Sequence, residues 1–384
     1  MRVALVCPYG LDHPGGVQGQ VLGLARALER QDVTTLVVAP GRSVPGAPVP
    51  GAVPHDATDP GGIVLVGRSI SVPANGSVAP LALGPGALRR TVAVLRRWGA
   101  DIVHLHEPLA PGPTWAVLAA SLPGAHRVAT MHRAGGAGLY RALGPFARAA
   151  LGRVEAVFAV SDEARATAAA ALRGRSCPVV GNGVELDRFL AAAPVRTDGP
   201  TVLFVGRHEP RKGLSVLLQA TERLGPGWPG HLWVVGDGPQ TAELRRRYPP
   251  GPRRRWLGRV GDAELAGLFA GSHVLCAPSL GGESFGVVLL EAMAARAAVV
   301  CSDIPGYAAA AGGHATLVPP GDVTALAGAL EHVVAAVGTA TGPAAASALD
   351  AAVAHAGRHS MAALASRYLR SYEELLGAPR SAGT

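Results

Sequence analysis

Short apolar runs that end in glycine, proline or a polar residue alternate along the chain with segments of helical periodicity. The first run is RVALVCP, and the segment after it places Val17, Val21, Leu24 and Leu28 on one face of a helix. Further runs follow in TTLVVAP, DIVHLHEP, RVATMHR and AVFAVSD. This alternation predicts an α/β fold with a parallel, doubly wound sheet.

The same pattern begins again near residue 200, with the runs TVLFVGR, LWVVGDGP, RRWLGRV, HVLCAPS, AVVCSDI and ATLVPPGD. The repetition predicts two Rossmann-like domains, covering residues 1–187 and 188–358. A last helix at about 359–376 is long enough to pack back on the first domain. Ligands of open α/β sheets bind at the carboxyl ends of the strands, so we expect the two domains to face each other across a central cleft that holds the site.

Composition narrows the class of partner. The 384 residues are 48% hydrophobic and carry a net charge of +8, which favours an anionic partner such as a nucleotide, a phospholipid surface or a nucleic acid. Aromatic residues make up only 4%, which argues against the stacking platforms of nucleic-acid-binding proteins. The four cysteines have no metal-site spacing, and neither a signal peptide nor an 18-residue apolar span is evident. These features predict a cytoplasmic protein with single thiols.

Lys212 is the only lysine in the chain. It lies in GRHEPRKG, five residues after Arg207, which itself follows the apolar run TVLFVG. Two cations at the end of a strand can neutralise a diphosphate without a metal, which is electrostatic catalysis when the diphosphate is a leaving group. The alternative is a solvated basic turn. The uniqueness of Lys212 favours the functional interpretation.

Two glutamates lie eight positions apart in GGESFGVVLLEAMAA. Glu283 falls in a loop, where it can accept hydrogen bonds from sugar hydroxyls, and Glu291 lies two turns along the following helix, within reach of a hydroxyl pair such as a ribose. The alternative is that Glu291 faces solvent and that Glu283 favours the helix dipole.

Several weaker signals lie at other predicted strand ends. Two glycines in PGGVQ open a helix and would let the backbone approach a phosphate. His104 and His106 share one face of a strand and are expected to form a packed or hydrogen-bonded pair. His132 ends a strand, where a site role and a structural role are equally reasonable.

Taken together, GRHEPRKG, GGESFGVVLLEAMAA, GNGVELDRF and CPYGLDHPGGVQGQV resemble the retaining glycosyltransferases of family four, which have the GT-B fold. Within that family, VCPYGLDHPGGVQ, NGSVAPLALGP, HLHEPLAP and LGGESFGVVLLEAMAA are similar to the actinobacterial phosphatidylinositol mannosyltransferases, which use GDP-mannose. The resemblance covers essentially the whole chain.

The resemblance implies roles for individual residues. For the donor, Arg207 and Lys212 would hold the diphosphate, Glu283 the transferred sugar and Glu291 the ribose. Further donor contacts would come from Gly16, Val260, Ser284, Phe285 and Gly286. His132 would lie near the anomeric carbon and complete a catalytic set with Arg207, Lys212 and Glu283. The acceptor would be bound by Tyr9, Gln18 and Asn75, and we expect Arg133, which departs from the family pattern, to join them. No metal and no cofactor other than the nucleotide-sugar would be needed.

The sequence departs from the family at the acceptor phosphate. Basic residues are expected after NGSVA, but Pro80 and Ala82 stand there, and Ala137 replaces a lysine after the family histidine. Arg133 would compensate in part. A basic helix with Arg89, Arg90, Arg96 and Arg97 keeps part of the surface that would contact an anionic membrane.

The sequence therefore predicts a retaining hexosyltransferase that moves mannose from GDP-mannose to an inositol-type acceptor. The first alternative is a glycosyltransferase of specialised metabolism with a soluble cyclitol, sugar or natural-product acceptor. A non-hydrolysing sugar-nucleotide epimerase is a remote alternative, because no set of acid/base carboxylates is evident in the first domain. A binding module without catalysis would be expected to lose Lys212 or Glu283, and a nucleic-acid-binding function would rest on charge alone.

Overall fold

The computed structural model describes residues 1–12, 15–42, 62–74, 77–135, 144–339 and 343–378. The chain forms two compact units, one of Met1–Gly183 with Met361–Thr384 and one of Val184–Ser360. The sequence predicted these divisions at residues 187 and 358.

The first unit is built on a six-stranded parallel sheet in the order β3-β2-β1-β6-β7-β8. A separate antiparallel hairpin, β4-β5, follows β3 in the sequence. The strands are β1 (Arg2–Val6), β2 (Thr34–Ala39), β3 (Gly62–Leu65), β4 (Ile70–Ala74), β5 (Ser77–Leu81), β6 (Ile102–His106), β7 (His126–Met131) and β8 (Ala156–Ala159). The described helices are α1 (Gly16–Glu29), α2 (Pro85–Trp98), α3 (Pro113–Ala119), α4 (Gly144–Leu151), α5 (Asp162–Leu172) and the last helix of the chain, α14 (Met361–Gly377).

Both faces of this sheet are covered, which is why its strands read as continuous apolar runs. On one face, Leu24 and Leu28 of α1 form a core with Tyr368 and Tyr372 of α14. On the other face, Leu95 and Trp98 of α2 form a core with buried side chains of β6 and β7. Helix α14 therefore belongs to the first unit although it follows the second unit in the sequence.

The second unit repeats the architecture, with a parallel sheet in the order β11-β10-β9-β12-β13-β14. Its strands are β9 (Thr201–Val205), β10 (His231–Val235), β11 (Arg254–Gly258), β12 (Val274–Ala277), β13 (Ala298–Ser302) and β14 (Thr316–Val318). Its helices are α6 (Leu186–Leu190), α7 (Leu214–Leu224), α8 (Thr241–Arg247), α9 (Asp262–Gly271), α10 (Val287–Ala294), α11 (Pro305–Ala311), α12 (Val323–Thr339) and α13 (Pro343–Arg358), with a 3₁₀ turn at Pro210–Lys212.

Each sheet reverses its strand order once, between β1 and β6 in the first unit and between β9 and β12 in the second. Loops that leave two neighbouring strands at such a point diverge and open a crevice at their carboxyl ends. Lys212 and Glu283 follow β9 and β12, whereas Tyr9 follows β1 and Glu107 follows β6. The topology thus explains why Lys212, Glu283 and Tyr9, which the sequence predicted as site residues, lie at these strand ends together with Glu107.

None of the helices in the described ranges is long and apolar enough to cross a membrane. Cys7, Cys177, Cys276 and Cys301 are all buried and carry free thiols.

Candidate active site

The loop after β9 is joined closely to the loop after β12. The 3₁₀ turn Pro210–Lys212 ends at Gly213, whose φ is 69° and whose added Cβ would lie 1.9 Å from the carbonyl oxygen of Pro278. Only glycine permits both this conformation and this approach. The amide of Leu280 also donates to the Arg211 carbonyl at 2.7 Å. Lys212 ends this turn, two residues before the start of α7.

Glu283 lies at the centre of a cluster of ion pairs. Its Oε1 atom receives Lys212 Nζ at 2.8 Å and Arg211 Nη1 at 2.8 Å, with Ser279 Oγ at 3.5 Å. Its Oε2 atom receives no hydrogen bond or ion pair from the residues that the structure describes. The carboxylate is therefore fixed through one oxygen and keeps the other as an acceptor.

Glu209 is a second carboxylate in this cluster, and it is almost wholly buried, with 2% of its side chain exposed. Its two oxygens accept from Arg207 Nη2 at 3.1 Å and from Arg211 Nε at 3.0 Å. A buried carboxylate requires such partners because removal from water is costly. Arg211 thereby bridges Glu209 and Glu283. Three cations and two carboxylates leave one net positive charge, which suits a polyanionic ligand.

The turn that carries Glu283 is supported from α11. Tyr307 Oη lies 2.9 Å from Ser279 Oγ, and burial raises the pKa of Tyr307, so its hydroxyl remains neutral. Gly286 has a φ of 102°, and a Cβ there would lie 2.6 Å from the Tyr307 ring. Ser284, Phe285 and Gly286 lead directly into α10, and the buried Phe285 ring packs 5.6 Å from that of His359.

Glu291 and Val260, two further predicted donor residues, also lie in the second unit. Glu291 is on α10, where burial raises its pKa from 4.5 to about 7, and the charge of Arg188 opposes that rise. Val260 follows β11 and packs, half-buried, against the same core that contains Leu289 and Leu290 of α10. Glu291 is therefore a partly buried group rather than a solvent-facing helix residue.

The first unit contains a neutral, buried histidine network of its own. His106 Nδ1 lies 2.9 Å from His132 Nε2, and the His104 ring stacks on that of His106 at 4.5 Å. His104 Nε2 lies 2.7 Å from Thr130 Oγ1, and its Nδ1 lies 2.6 Å from Tyr372 Oη. Burial lowers the pKa of His104 and of His132 to about 3, and it lowers the pKa of His106 as well. The stacked His104–His106 pair confirms the prediction made for the HxH pattern.

Glu107 connects this network to the predicted acceptor residues. It is buried, with a φ of 49°, and its Oε2 accepts from the His132 amide at 2.9 Å. Burial raises the pKa of Tyr9, the charge of Glu107 raises it further, and the charge of Arg133 opposes the rise. Gln18, also buried, donates from Nε2 to the Gly10 carbonyl at 3.3 Å. Tyr9, Gln18, His132 and Arg133 therefore share one region of the first unit.

Gly16, Pro80 and Ala82, which the sequence also singled out, lie in the first unit. Gly16 begins α1, is exposed, and would meet nothing within 4 Å of an added Cβ, so a ligand can approach its backbone. Asn75 and Ala137 lie outside the described residues. Ala82 is buried with 2% exposed, and its carbonyl would lie 2.8 Å from a Cβ on Gly112. Pro80 is buried as well, and its carbonyl accepts from the Gly10 amide at 2.8 Å.

Helix α2 presents a basic surface. Arg89, Arg90, Arg96 and Arg97 are all exposed, whereas Thr91, Leu95 and Trp98 of the same helix are buried. Leu83, just before the helix, is exposed too. This surface is therefore basic and includes one exposed apolar side chain.

The structure thus gathers the predicted residues into one group in each unit. Arg207, Lys212 and Glu283 form the first with Ser284–Gly286, and Tyr9, Gln18, His132 and Arg133 form the second. Sequence reasoning missed Glu209, Arg211 and Tyr307 in the first group and Glu107 in the second. Glu209 and Arg211 lie inside GRHEPRKG and Glu107 inside HLHEP, so the motifs themselves were the available signal.

Comparison with known proteins shows the family of the chain. Residues 14–188 match the family described as Glycosyltransferase Family 4, and residues 199–336 match Glycosyl transferases group 1. The phosphatidyl-myo-inositol mannosyltransferase of Mycobacterium tuberculosis H37Rv is 38% identical over 341 residues, which cover 85% of each chain. The chain belongs to glycosyltransferase family 4. It is a glycosyltransferase and a relative of these mannosyltransferases.

Other relatives extend the comparison. A Propionibacterium freudenreichii phosphatidyl-myo-inositol mannosyltransferase is 38% identical over 80% of this chain and 78% of that protein. Two solved structures share the fold: a Rickettsia africae glycosyltransferase (TM-score 0.72, 18% identity, 98% of this chain and 99% of that one) and a sucrose-phosphate synthase from Thermosynechococcus elongatus (TM-score 0.72, 21% identity, 98% and 100%). The glycosyltransferase therefore has the two parallel-sheet Rossmann-like domains of the GT-B class.

The raised pKa of Glu291 predicts a pH-dependent stability. Its folded pKa is about 7 against an ordinary 4.5, so ionisation destabilises the fold as pH rises from about 4.5 to about 7. We expect Glu291→Gln to raise the free energy of unfolding at pH 8 by on the order of 1–3 kcal/mol, with little change near pH 4.5. Urea denaturation at several pH values measures this. Glu264→Gln, an exposed change on α9, is the control, and a pH-independent difference for Glu291→Gln would contradict the assignment.

Proposed function

We propose that this glycosyltransferase transfers mannose from GDP-mannose to a hydroxyl of an inositol-type acceptor such as phosphatidylinositol, with retention of configuration and without a metal. The observation that carries the donor chemistry is the cluster in which Lys212 and Arg211 converge on one oxygen of Glu283. The names of the 38%-identical relatives support mannose and the inositol acceptor.

The donor roles follow from charge and from free acceptor capacity. Arg207 and Lys212 would neutralise the diphosphate, and the Ser284–Gly286 amides ahead of α10 would assist, since a helix N-terminus favours negative charge. Glu283 would accept a hydrogen bond from a sugar hydroxyl at Oε2, the oxygen that its ion pairs leave available. Glu291 would bind the ribose, Val260 would border the base, and Gly16 would let the first-unit backbone approach the diphosphate.

The reaction we propose breaks the bond between the anomeric carbon and the diphosphate oxygen and forms one between that carbon and the acceptor oxygen on the same face. The acceptor hydroxyl gives its proton to the departing diphosphate. The cations stabilise the charge that develops on that leaving group, which is where preorganised charge lowers a barrier most. His132, whose pKa is about 3, would lie near the anomeric carbon as a neutral group.

A soluble acceptor is the second candidate, and a specific observation favours it. Pro80 and Ala82 are both buried and apolar, so neither offers a cation to an acceptor phosphate. An anion in a partly buried site without paired charge is unfavourable. Phosphatidylinositol would therefore depend on Arg133, with Tyr9, Gln18 and Asn75 binding the inositol. A neutral polyol would need no such cation.

The exposed arginines of α2 favour the lipid, because they could hold the enzyme peripherally at the cytoplasmic face of the membrane.

Replacement of Lys212 tests the donor site. We expect Lys212→Ala to lose roughly 2–4 kcal/mol of transition-state stabilisation, as on removal of one oxyanion donor, while the fold persists. Single-turnover transfer from a panel of nucleotide-sugars, followed by mass detection, measures the loss. Arg245→Ala, which removes one exposed positive charge from α8, is the matched control. Turnover of Lys212→Ala at the wild-type rate would refute the phosphate role.

The acceptor is tested with GDP-mannose and liposomes that contain phosphatidylinositol, alongside soluble cyclitols. We expect lipid mannosylation that falls at least about tenfold in Arg133→Ala, since hydrogen bonds to charged groups are worth about 1.5–3 kcal/mol. Arg148→Ala, on α4, is the control. Strong lipid transfer that Arg133→Ala leaves intact would refute the compensation by Arg133. Transfer to a neutral polyol with no lipid product would assign the enzyme to the second candidate.

A further inference from the structure

The hydrogen bond between His106 and His132 can carry its proton on either ring. Both rings are buried, with 2% and 7% of their surface exposed, and both are neutral because burial lowers their pKa values. A neutral imidazole carries one N–H and one bare nitrogen. The 2.9 Å contact between His106 Nδ1 and His132 Nε2 therefore has one donor and one acceptor. Either ring could supply the hydrogen on distance alone.

The other nitrogen of His106 decides between the two arrangements. His106 Nε2 is buried and has no hydrogen-bond partner among the residues that the structure describes. If His106 accepted at Nδ1, its proton would sit on Nε2 as a buried donor without an acceptor. If His106 donates from Nδ1, Nε2 holds only an unused lone pair. Orphaned buried donors are rarer than under-used acceptors, so the second arrangement is the more stable one.

We propose that His106 is a positioning residue that donates from Nδ1 to His132 Nε2 and so fixes His132 in the tautomer that carries its proton on Nδ1. His132 then presents a neutral hydrogen-bond donor at Nδ1. The tautomer itself rests on geometry within the first unit. Its consequence for catalysis rests on the proposed function, in which His132 lies near the anomeric carbon.

Two further contacts hold this arrangement in place. The His132 amide donates to Glu107 Oε2 at 2.9 Å, which fixes the backbone from which the ring projects. The His104 ring stacks on His106 and is itself held between Thr130 and Tyr372. The His106 plane is therefore set by its neighbour rather than by solvent. Packing of this kind maintains a single rotamer for a group that must orient another.

The assignment changes what His132 can do in the reaction. A nitrogen that already accepts from His106 is not available as a base, and the other nitrogen carries a proton. His132 would thus donate to an oxygen of the bound sugar or of the acceptor, and it would not receive the acceptor's proton. That proton goes to the departing diphosphate in the proposed reaction. His106 acts only through His132 and touches no substrate.

The direct test is long-range ¹H–¹⁵N correlation NMR on the full chain labelled at histidine, with His132 assigned by loss of its signals in His132→Gln. We expect the pattern of an imidazole protonated on Nδ1, in which Nε2 has the shift of a bare nitrogen. The opposite pattern, with the proton on Nε2, overturns the proposal. This result does not depend on substrate, so it stands apart from any failure of the proposed mannosyl transfer.

Variants of His106 test the positioning role. His106→Leu removes both nitrogens and should give mixed His132 tautomers. It should also lower kcat roughly ten- to hundredfold with little change in donor KM, by analogy with residues that orient a ligating histidine. His106→Asn keeps an N–H donor at the δ position and should restore the Nδ1-protonated pattern and most of kcat. His355→Leu removes another buried histidine, in the second unit, and should leave the His132 pattern unchanged. An unaltered His132 pattern in His106→Leu overturns the role of His106, and if that variant does not fold, the wild-type and His106→Asn spectra still decide.

Discussion

The second unit's site depends on two ion pairs, which Arg211 and Lys212 form with the same atom, Glu283 Oε1. These ion pairs join the loops after β9 and β12, the two strands between which the sheet reverses its order. Loops that diverge at such a point would otherwise be free to separate. Gly213 allows the approach because no Cβ fits beside the Pro278 carbonyl, and Glu209 extends the cluster to Arg207. The same ion pairs that fix the loops leave Glu283 Oε2 available to a ligand.

The first unit organises its strand ends in a different way. His104, His106 and His132 are neutral and buried. His106 contacts His132, His104 is hydrogen-bonded to the hydroxyls of Thr130 and Tyr372, and Thr130 is hydrogen-bonded to Tyr368. Both tyrosines come from α14, which packs beside α1. A low-dielectric interior makes such a network rigid when its members are paired. The site residues of the second unit therefore carry net positive charge, and the histidines of the first unit are oriented neutral groups.

Much of this could be read from the sequence, for identifiable reasons. Parallel strands buried on both faces leave continuous apolar runs, so both sheets and the place where the pattern restarts were visible. Lys212 was conspicuous because it is the only lysine in an arginine-rich chain. Glu209 and Arg211 were not found, since nothing local distinguishes a buried bridging carboxylate from a solvated turn residue. His106 and His132 are 26 positions apart in the sequence, and only the register of β6 against β7 brings the two residues together.

The most direct test of the account is calorimetric titration of wild-type and Glu283→Gln protein with GDP and with GDP-mannose. Loss of the Glu283 charge frees Lys212 and Arg211 rather than removing them, so GDP should bind within about threefold of wild type. GDP-mannose should lose about tenfold or more, because a hydrogen bond to a charged group is worth about 1.5–3 kcal/mol. Equal losses for both ligands, or no loss for either, would contradict the claim that Glu283 holds the sugar while the cations hold the diphosphate.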